Sequence, residues 1–307
     1  MRKNVISAVG ISVVDHIMIL DGFKTGEGSF HCESYLVEGG GMAATALCAA
    51  AKLSAETRLF SRIGDDLNGV FILDELKRYG VDTAGVVTIP GKASTVSFVL
   101  VDKMSGEKQF YSEWIKPAFE DRIELDISLL KGTEVLLVDG HWTEGALKAS
   151  EWAKTNGVPV VADFKRKYTN LEALFPFIDY FVIPSFFAEE LTGAADPEDM
   201  LAGLAAIQPG VPVITLGDFG GMYLFEGKVR RYRSFPVQCV DSTGAGDAFH
   251  GAFCRFLTQN LDLHRCLELA SAVGALNCRA FGGRTGLPTA GELSEFLVIN
   301  GCDAYPP

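Results

Sequence analysis

The segment VDSTGAGDAFHGAF, residues 240–253, decides the fold of this chain. A short apolar stretch ends there, and Gly244, Ala245 and Gly246 then open a predicted helix whose apolar residues include two phenylalanines four positions apart. Glycines at a helix start let a ligand approach backbone N–H groups that the helix does not use, and the helix dipole adds positive potential. The segment therefore predicts an anion site at a helix N-terminus.

Asp247 lies in the first turn of this predicted helix. A carboxylate that faced a bound phosphate would be repelled, so its natural partner is a hydroxyl that loses a proton. An anion hole beside a carboxylate base suits phosphoryl transfer. The alternative is that Asp247 only complements the helix dipole and that the glycines only form a tight turn. No GxxxxGK[ST] motif occurs, which excludes a P-loop kinase.

A second glycine-rich segment, EGGGMAATALCAAAKLSA, covers residues 38–55. Its small side chains predict a helix that lies close to a sheet. Gly39, Gly41 and Ala44 match the loose dinucleotide pattern G-x-G-x-x-A, so a nicotinamide oxidoreductase is an alternative. The glycines follow the second extended segment, however, and no acidic residue stands convincingly at the end of a strand about 20 residues on. Both observations disfavour that alternative.

Strand-like and helix-like runs alternate along most of the chain, which predicts a parallel sheet covered on both faces. The predicted strands are 4–13, 57–63, 134–139, 158–163, 178–183 and 211–216, and the predicted helices are 43–53, 66–79, 143–155, 187–192, 198–207, 247–259 and 262–278. Residues 23–37 and 93–112 alternate with period two instead, and predict antiparallel strands of a small lid. We expect one domain, 1–307, that carries this lid.

The composition is that of a folded acidic protein, with 307 residues, 48% of them hydrophobic, and a net charge of −12. The negative charge disfavours binding to nucleic acid or to an anionic membrane surface. The sequence contains no apolar run of 18 residues, so it predicts no membrane span. Asp15 and His16 interrupt the apolar start, which we interpret as a strand and not a signal peptide. Seven cysteines without CxxC pairs predict reduced core thiols in a cytoplasmic protein.

Together, the two glycine-rich segments resemble the two signatures of the ribokinase (pfkB) family of sugar kinases. The first continues to residue 69 as GGGMAATALCAAAKLSAETRLFSRIGDDLNG, and the second is DSTGAGDAFHGAF. Their order and separation agree with the family over essentially the whole chain. The form GGGxAATA and the stretch CRxxGGRxGxP most resemble the sulfofructose-kinase-like branch. The resemblance implies a ribokinase-like three-layer α/β fold with a mostly parallel central sheet and a β-strand lid, and ATP-dependent phosphorylation of a hydroxyl of a sugar or sugar derivative.

The resemblance also implies roles for individual residues. Asp247 would be the catalytic base, and the anion hole would consist of Gly244, Ala245 and Gly246. The sugar would contact Asp15, Gly40, Gly41 and, at a position where the family usually has Asn, Thr45. ATP, with Mg²⁺, would be bound by Thr215, Gly217, Gly220, Ser271 and Gly283, with residues 281–286 beside the adenine. A monovalent cation such as K⁺ would bind near the anion hole at Asp241, Thr243, Cys278, Phe281 and Gly283.

Part of the chain departs from the family pattern. The Asn-x-x-Glu motif that helps organise magnesium is missing, and IPSFFAEELTG offers only Ser185 and, shifted, Glu189 or Glu190. The segments GHWTEGA and VADFKRKY supply three further candidates for substrate binding: His141, Asp163 and Lys165. The basic run 165–167 follows a predicted strand at the ligand-binding edge of the sheet, where it could meet an anionic substrate group. A solvated loop is the alternative for this run, and a structural role is the alternative for His141.

Three other functions and one assembly remain open. A nucleoside kinase of the same fold could stack a base on the lid aromatics Phe98, Phe110, Tyr111 and Trp114. A non-catalytic sugar- or nucleotide-binding regulator is disfavoured by the intact Asp247, and the oxidoreductase by its glycine placement. The exposed strands of the lid predict a homodimer in which paired lids cover each other.

The sequence is also rich in glycine, with 33 residues against roughly 21 expected at an average of about 7%. A dozen glycines fall in the two signature segments and the predicted nucleotide loops: Gly39, Gly40, Gly41, Gly217, Gly220, Gly221, Gly244, Gly246, Gly251, Gly282, Gly283 and Gly286. We interpret them as positions where the backbone comes close to a ligand.

Overall fold

Apolar side chains on the two faces of the main β-sheet pack into two separate hydrophobic clusters. The computed structural model that shows this describes residues 4–105, 107–113, 123–259 and 261–305. Along one strand, Leu137 belongs to the first cluster, whereas Leu136 and Val138 belong to the second. Side chains alternate between the faces of a strand, so a continuous apolar run buries both. The predicted three-layer α/β fold is confirmed.

The described residues form thirteen strands in two sheets and eight α-helices. The strands are β1 (Val5–Val9), β2 (Val13–Leu20), β3 (Ser34–Gly40), β4 (Glu56–Gly64), β5 (Val81–Ile89), β6 (Val96–Asp102), β7 (Lys108–Glu113), β8 (Val135–Val138), β9 (Val160–Asp163), β10 (Tyr180–Pro184), β11 (Val211–Thr215), β12 (Gly221–Phe225) and β13 (Lys228–Tyr232). The helices are α1 (Met42–Lys52), α2 (Leu67–Arg78), α3 (Thr143–Asn156), α4 (Ser185–Thr192), α5 (Pro197–Ile207), α6 (Ala245–Leu257), α7 (Leu263–Asn277) and α8 (Ala290–Ile299). Within these ranges, no helix is long and apolar enough to cross a membrane.

The main sheet has the order β13-β12-β11-β10-β9-β8-β1-β4-β5. The strands from β11 to β5 are parallel, and β12 and β13 extend one edge antiparallel. In a parallel sheet, ligands bind at the carboxyl edge of the strands. The loops that follow β8, β9 and β11 therefore share one side of the molecule with the loop that precedes α6.

The second sheet has the order β3-β2-β6-β7 and corresponds to the predicted lid. Its pairing is mixed, since β2 runs parallel to β6 but antiparallel to β3. On its inner face, Ile17, Val99 and Val101 are buried and pack with Phe281. This contact holds the sheet against the C-terminal part of the chain.

All but one of the predicted strands and helices of the main layers are confirmed within two residues at each end. The exception is the first strand, because residues 4–13 do not form one continuous strand: β1 ends at Val9, and β2 belongs to the lid. The predicted lid strand 23–37 is wrong before Ser34, where β3 begins. Strands β5, β12 and β13 were not predicted. An apolar run gives no sign of the point at which a chain leaves one sheet for another, which explains the first error.

Asp139, directly after β8, connects three elements at the carboxyl edge. Its fully buried carboxylate accepts N–H bonds from Ile11 (2.8 Å), which precedes β2, and from Ala43 (3.2 Å) in the first turn of α1. It also accepts one from the backbone of His141 (3.0 Å). Burial acts to raise the pKa of Asp139, but His141 and these N–H donors outweigh it and hold the pKa below its usual value. The ionised carboxylate thus caps α1 and fixes the bend between β1 and β2.

We expect Asp139→Asn to destabilise the fold by roughly 2–4 kcal/mol, because the amide leaves buried N–H donors without a charged acceptor. Since the folded-state pKa is lowered, the contribution of Asp139 is present at neutral pH and is lost as the pH falls through that pKa. Urea unfolding at pH 7 measures the loss. Asp82→Asn is the control, because exposed Asp82 also accepts a backbone N–H, from Ala84. Equal stability of the two variants would contradict the role of Asp139.

Candidate active site

The N-terminus of α6 is built as the sequence predicted. Gly244 caps the helix with φ +70°, in the left-handed region, and a Cβ there would lie 2.4 Å from the carbonyl oxygen of Gly283. Glycine is thus required both by the backbone conformation and by the neighbouring loop. Behind this cap, the first turn of α6 carries Ala245, Gly246 and Asp247.

A cavity of about 510 Å³ opens beside this helix start. Its lining includes Ala245, Gly246 and four of the five predicted ATP residues: Thr215, Gly217, Gly220 and Ser271. The fifth, Gly283, does not line it and instead lies against the Gly244 cap. One wall of the cavity was not predicted from the sequence: the segment 232–239, which contributes Tyr232, Phe235 and Val237. An apolar wall facing backbone N–H groups suits a ligand with a flat ring at one end and phosphates at the other.

Asp247 is paired with Lys165. The Lys165 ammonium donates to Asp247 Oδ1 at 2.6 Å, and Asp247 is only 8% exposed. Burial acts to lower the pKa of Lys165, but the carboxylates of Asp247 and Asp163 outweigh it and raise the pKa above its usual value. Lys165 is therefore a permanent cation beside the Asp247 carboxylate.

Asp163 lies underneath this pair and is fully buried, so the prediction that it contacts substrate directly is wrong. His250 of α6 covers it, with Nδ1 at 3.4 Å from Asp163 Oδ2. The two ring nitrogens of His250 also face carbonyl oxygens, Nδ1 that of Gly246 (2.7 Å) and Nε2 that of Val182 (3.0 Å). Carbonyls only accept, so a ring nitrogen that bonds to either of them must carry a proton. Burial raises the pKa of Asp163 above its usual value, and the nearby His250 and Lys165 act against this.

The predicted sugar contacts Asp15, Gly40 and Gly41 come together at the edge between the two sheets. Asp15 lies on β2 and its carboxylate fills the space next to Gly40, where a Cβ would be 1.9 Å from Oδ2. Burial raises the pKa of Asp15 to about 7; Arg284 acts against this, and the charges of Glu38 and Asp247 add to it. The charge of Asp247, in the first turn of α6, thus acts on the Asp15 carboxyl in this pocket.

Arg284 was missed as a site residue, although it organises the glycine turn. Its side chain is buried and donates from Nη2 to the Gly40 carbonyl (2.8 Å), from Nη1 to Glu75 (2.9 Å) and from Nε to the Thr45 hydroxyl (3.1 Å). Two predictions are corrected here. Thr45 is buried and bonded to Arg284, so it does not face the open pocket, and the segment 281–286 packs behind the glycine turn instead of beside the nucleotide cavity.

The three side chains of the basic run 165–167 contact different partners. Lys165 bonds to Asp247, whereas the Arg166 guanidinium lies 5.0 Å from the centre of the Tyr168 ring and Lys167 pairs with Glu190 of α4 (3.8 Å). Glu190 is thus engaged with a lysine and not directed at the α6 N-terminus. His141 bonds to Asp139 and packs against the Tyr168 ring, with 4.7 Å between ring centres.

The residues implied for a monovalent cation also come together, around the loop that precedes α6. Asp241 accepts N–H bonds from Thr243 (2.8 Å) and Gly282 (2.9 Å). Cys278 follows α7, and Phe281 packs against the inner face of the lid.

Comparison with known proteins decides the family. A model of the pfkB family of carbohydrate kinases matches residues 3–290. The chain belongs to this family. It is an ATP-dependent carbohydrate kinase, a phosphotransferase with an alcohol group as acceptor, as the sequence predicted.

Individual relatives support this assignment, and they match nearly the whole length of the chain. A ribokinase of Haemophilus influenzae is 29% identical over 97% of this chain and 99% of its own length. A solved structure from Agrobacterium tumefaciens, described as a candidate ribokinase, has a TM-score of 0.91 at 29% identity and covers 95% of this chain and 96% of its own. The resemblance to the sulfofructose-kinase-like branch is not tested by these relatives and stays a prediction.

A solved structure from E. coli, described as a candidate ribokinase II in complex with ATP and Mg²⁺, has a TM-score of 0.80 at 23% identity and covers 96% of this chain and 99% of its own. At this identity it supports the fold of the kinase alone.

Asp15 gives the kinase a pH-dependent stability. Its folded-state pKa of about 7 lies above the usual 3.8, so ionisation of Asp15 destabilises the folded state as the pH rises from about 4 to 7. We expect Asp15→Asn to gain stability over the wild type across this range, by at most about 4 kcal/mol. Thermal melts at pH 5, 6, 7 and 8 measure the gap, with exposed Asp21→Asn as control. A gap that does not change with pH would contradict this assignment.

Proposed function

We propose that this kinase transfers the γ-phosphoryl group of MgATP to a hydroxyl of a sugar or sugar derivative, with Asp247 as the general base. The observation that carries the proposal is the position of Asp247. It lies in the first turn of α6, next to Ala245 and Gly246, which line the cavity, and its charge acts on Asp15 beside Gly40. A base, an anion hole and an acceptor pocket thus meet at one helix end.

The residues then divide the chemistry between them. Asp247 accepts the proton of the attacking hydroxyl, and Lys165 orients this carboxylate through the 2.6 Å bond. The backbone N–H groups at the start of α6 stabilise the negative charge on the phosphoryl oxygens during in-line transfer. His250 supports this turn from below through the Gly246 carbonyl.

The cavity beside α6 is proposed to hold ATP, with its phosphates toward Gly246 and its rings between the segments around Ser271 and Phe235. We propose that magnesium arrives with the nucleotide. The alternative acidic candidate, Glu190, is paired with Lys167, and among the described residues no three His, Cys, Asp or Glu side chains are grouped as metal ligands.

The acceptor is proposed to lie against Asp15, Gly40 and Gly41. Asp15 and its strand partners Ser97 and Glu38 share one face of the lid sheet, the inner one. The aromatics suggested for stacking a nucleoside base are split between faces: Phe98 and Tyr111 pair in a row with His16 on the outer face, and Phe110 lies on the inner. Trp114 lies outside the described residues. This division favours a sugar over a nucleoside.

The outer face of the lid is proposed to bind a second copy of the chain. Tyr35, Phe98 and Tyr111 are each more than two-fifths exposed there, and they form an apolar patch with Val37 on neighbouring strands. A homodimer would cover this patch and the open edges of the lid. We propose a cytoplasmic enzyme without a nucleic-acid or membrane partner, in keeping with its charge of −12.

Asp247→Asn tests the proposed base. We expect turnover to fall by roughly two decades or more, because the amide cannot take the hydroxyl proton, while ATP still binds. Coupled ADP release over a panel of sugars, sugar acids, sugar phosphates and nucleosides gives the rate and the acceptor, and calorimetry gives ATP affinity. Asp199→Asn, an exposed carboxylate on α5, is the control. Turnover within a few-fold of wild type would refute the assignment of Asp247.

Phe98→Lys tests the dimer. We expect the charge to break an apolar lid–lid interface, so that light scattering after size exclusion shifts from about twice the chain mass to the chain mass. Val298→Lys, which adds the same charge at an exposed position of α8, should leave the mass unchanged. A wild-type protein that is monomeric at micromolar concentration would overturn this part of the proposal.

A further inference from the structure

Lys108 is a cation that the lid holds next to the anion-hole loop. It lies on the inner face of β7, in register with Val101. Its ammonium donates to the Ser242 hydroxyl (2.8 Å) and lies 3.9 Å from Asp241 Oδ1. The Lys108 side chain is 17% exposed and the Asp241 side chain is fully buried. Strand β7 of the lid thus places a positive charge beside Ser242, two residues before Gly244, the cap of α6.

Three of the five positions that the family resemblance assigns to a monovalent cation have carbonyl oxygens that already accept protein donors. Asn277 is buried, and its Nδ2 donates to the carbonyls of both Thr243 and Gly283, at 3.1 Å each. The Cys278 carbonyl accepts the backbone N–H groups of Val240 (2.8 Å) and Asp241 (3.2 Å). A carbonyl oxygen has two lone pairs, so these bonds occupy both at Cys278 and one each at Thr243 and Gly283. The residues present therefore fit a resident cation poorly.

Asp241 is the remaining member of that set with a charge of its own. Its carboxylate accepts bonds from the Thr243 N–H (2.8 Å), the Thr243 hydroxyl (2.7 Å) and the Gly282 N–H (2.9 Å). A buried carboxylate needs a nearby positive charge as well as hydrogen bonds. Lys108 supplies this charge at the position where the family resemblance implies a metal ion. Burial lowers the pKa of Lys108 and the charge of Asp241 partly offsets this, as expected for a desolvated ammonium held by its partner.

We propose that Lys108 and Asn277 replace the monovalent cation in this chain. Asn277 bridges the carbonyls that a cation would bridge, and Lys108 balances Asp241. The kinase then works without K⁺, and the lid itself supplies the charge that holds the anion-hole loop in shape. The role of Lys108 in the anion-hole loop rests on the proposed function of α6. The independence from K⁺ concerns only what the site binds.

Cation dependence of the wild-type protein is the first test. We expect the melting temperature and the rate of ADP release to be the same in KCl and in tetramethylammonium chloride of equal concentration, because the protein donors exclude K⁺ from the loop. A K⁺-specific rise in melting temperature, or several-fold activation by K⁺, would overturn the proposal. The melting measurement needs no turnover, so it decides whether K⁺ binds even when no acceptor in the panel is phosphorylated.

Lys108→Met is the second test, and it compares the two salts again. Removal of the ammonium leaves Asp241 without its balancing charge, so we expect turnover to fall about ten-fold and to recover in part in KCl but not in tetramethylammonium chloride. Lys108→Arg, which keeps the charge, should lose less. The control is Lys103→Met in the same sheet, since Lys103 pairs with Glu33 at an exposed site.

Two results for the Lys108 variants decide against the proposal. If Lys108→Met matched Lys103→Met in both turnover and melting temperature, Lys108 would have no role in the loop. If Lys108→Met lost activity equally in both salts and KCl did not raise its melting temperature, Lys108 would not stand in for a cation. Asn277→Val gives an independent reading, because removal of the bridging amide should create a K⁺-specific rise in melting temperature.

Discussion

The buried guanidinium of Arg284 is the interaction on which the arrangement of the site depends. It binds the Gly40 carbonyl, Thr45 of α1 and Glu75 of α2, so the acceptor pocket and two helices share one cation. The preceding residues of the same loop reach the other half of the site: Gly282 donates to Asp241, and Gly283 lies against the cap of α6. Loss of one partner of a buried ion pair typically costs about 3–5 kcal/mol. One short loop therefore sets the distance between acceptor and anion hole.

The strongly patterned parts of the fold could be predicted from the sequence, because their signals are local. Alternation of apolar runs marked most of the strands and helices, and the glycines around residue 244 marked the start of α6. Arg284, Asp139 and His250 gave no comparable signal, since their partners are far away in sequence: Arg284 bonds to Gly40 and Asp139 to Ile11. A side chain that acts through long-range contacts looks like any other polar residue until the topology brings its partners together.

The glycine excess and the basic run 165–167 also show that a sequence pattern does not reveal which contacts a residue makes. Gly251 was interpreted as a ligand-binding glycine, but a Cβ there would lie 1.8 Å from the carbonyl oxygen of Ala46, so it serves the contact of α6 with α1. Of the run 165–167, the position after a strand end correctly placed Lys165 at the site. Arg166 and Lys167 have partners elsewhere, because the chain bends at residues 165 and 166 after the strand ends. The position of a residue after a strand predicts that it lies at the carboxyl edge of the sheet. The direction of its side chain can be read only from the structure.

Four carboxylates organise the site of this acidic kinase, and each lies near a basic side chain from another part of the chain. The pairs are Asp15 with Arg284, Asp163 with His250, Asp247 with Lys165, and Asp241 with Lys108. Local pairing of this kind explains how a chain with a net charge of −12 can present N–H groups to a phosphate without repelling it. Two of the pairs, Asp15 with Arg284 and Asp241 with Lys108, join the lid to the main body. The position of the lid therefore sets the electrostatic balance of the site, because a lid that moved away would separate Asp15 from Arg284 and Asp241 from Lys108.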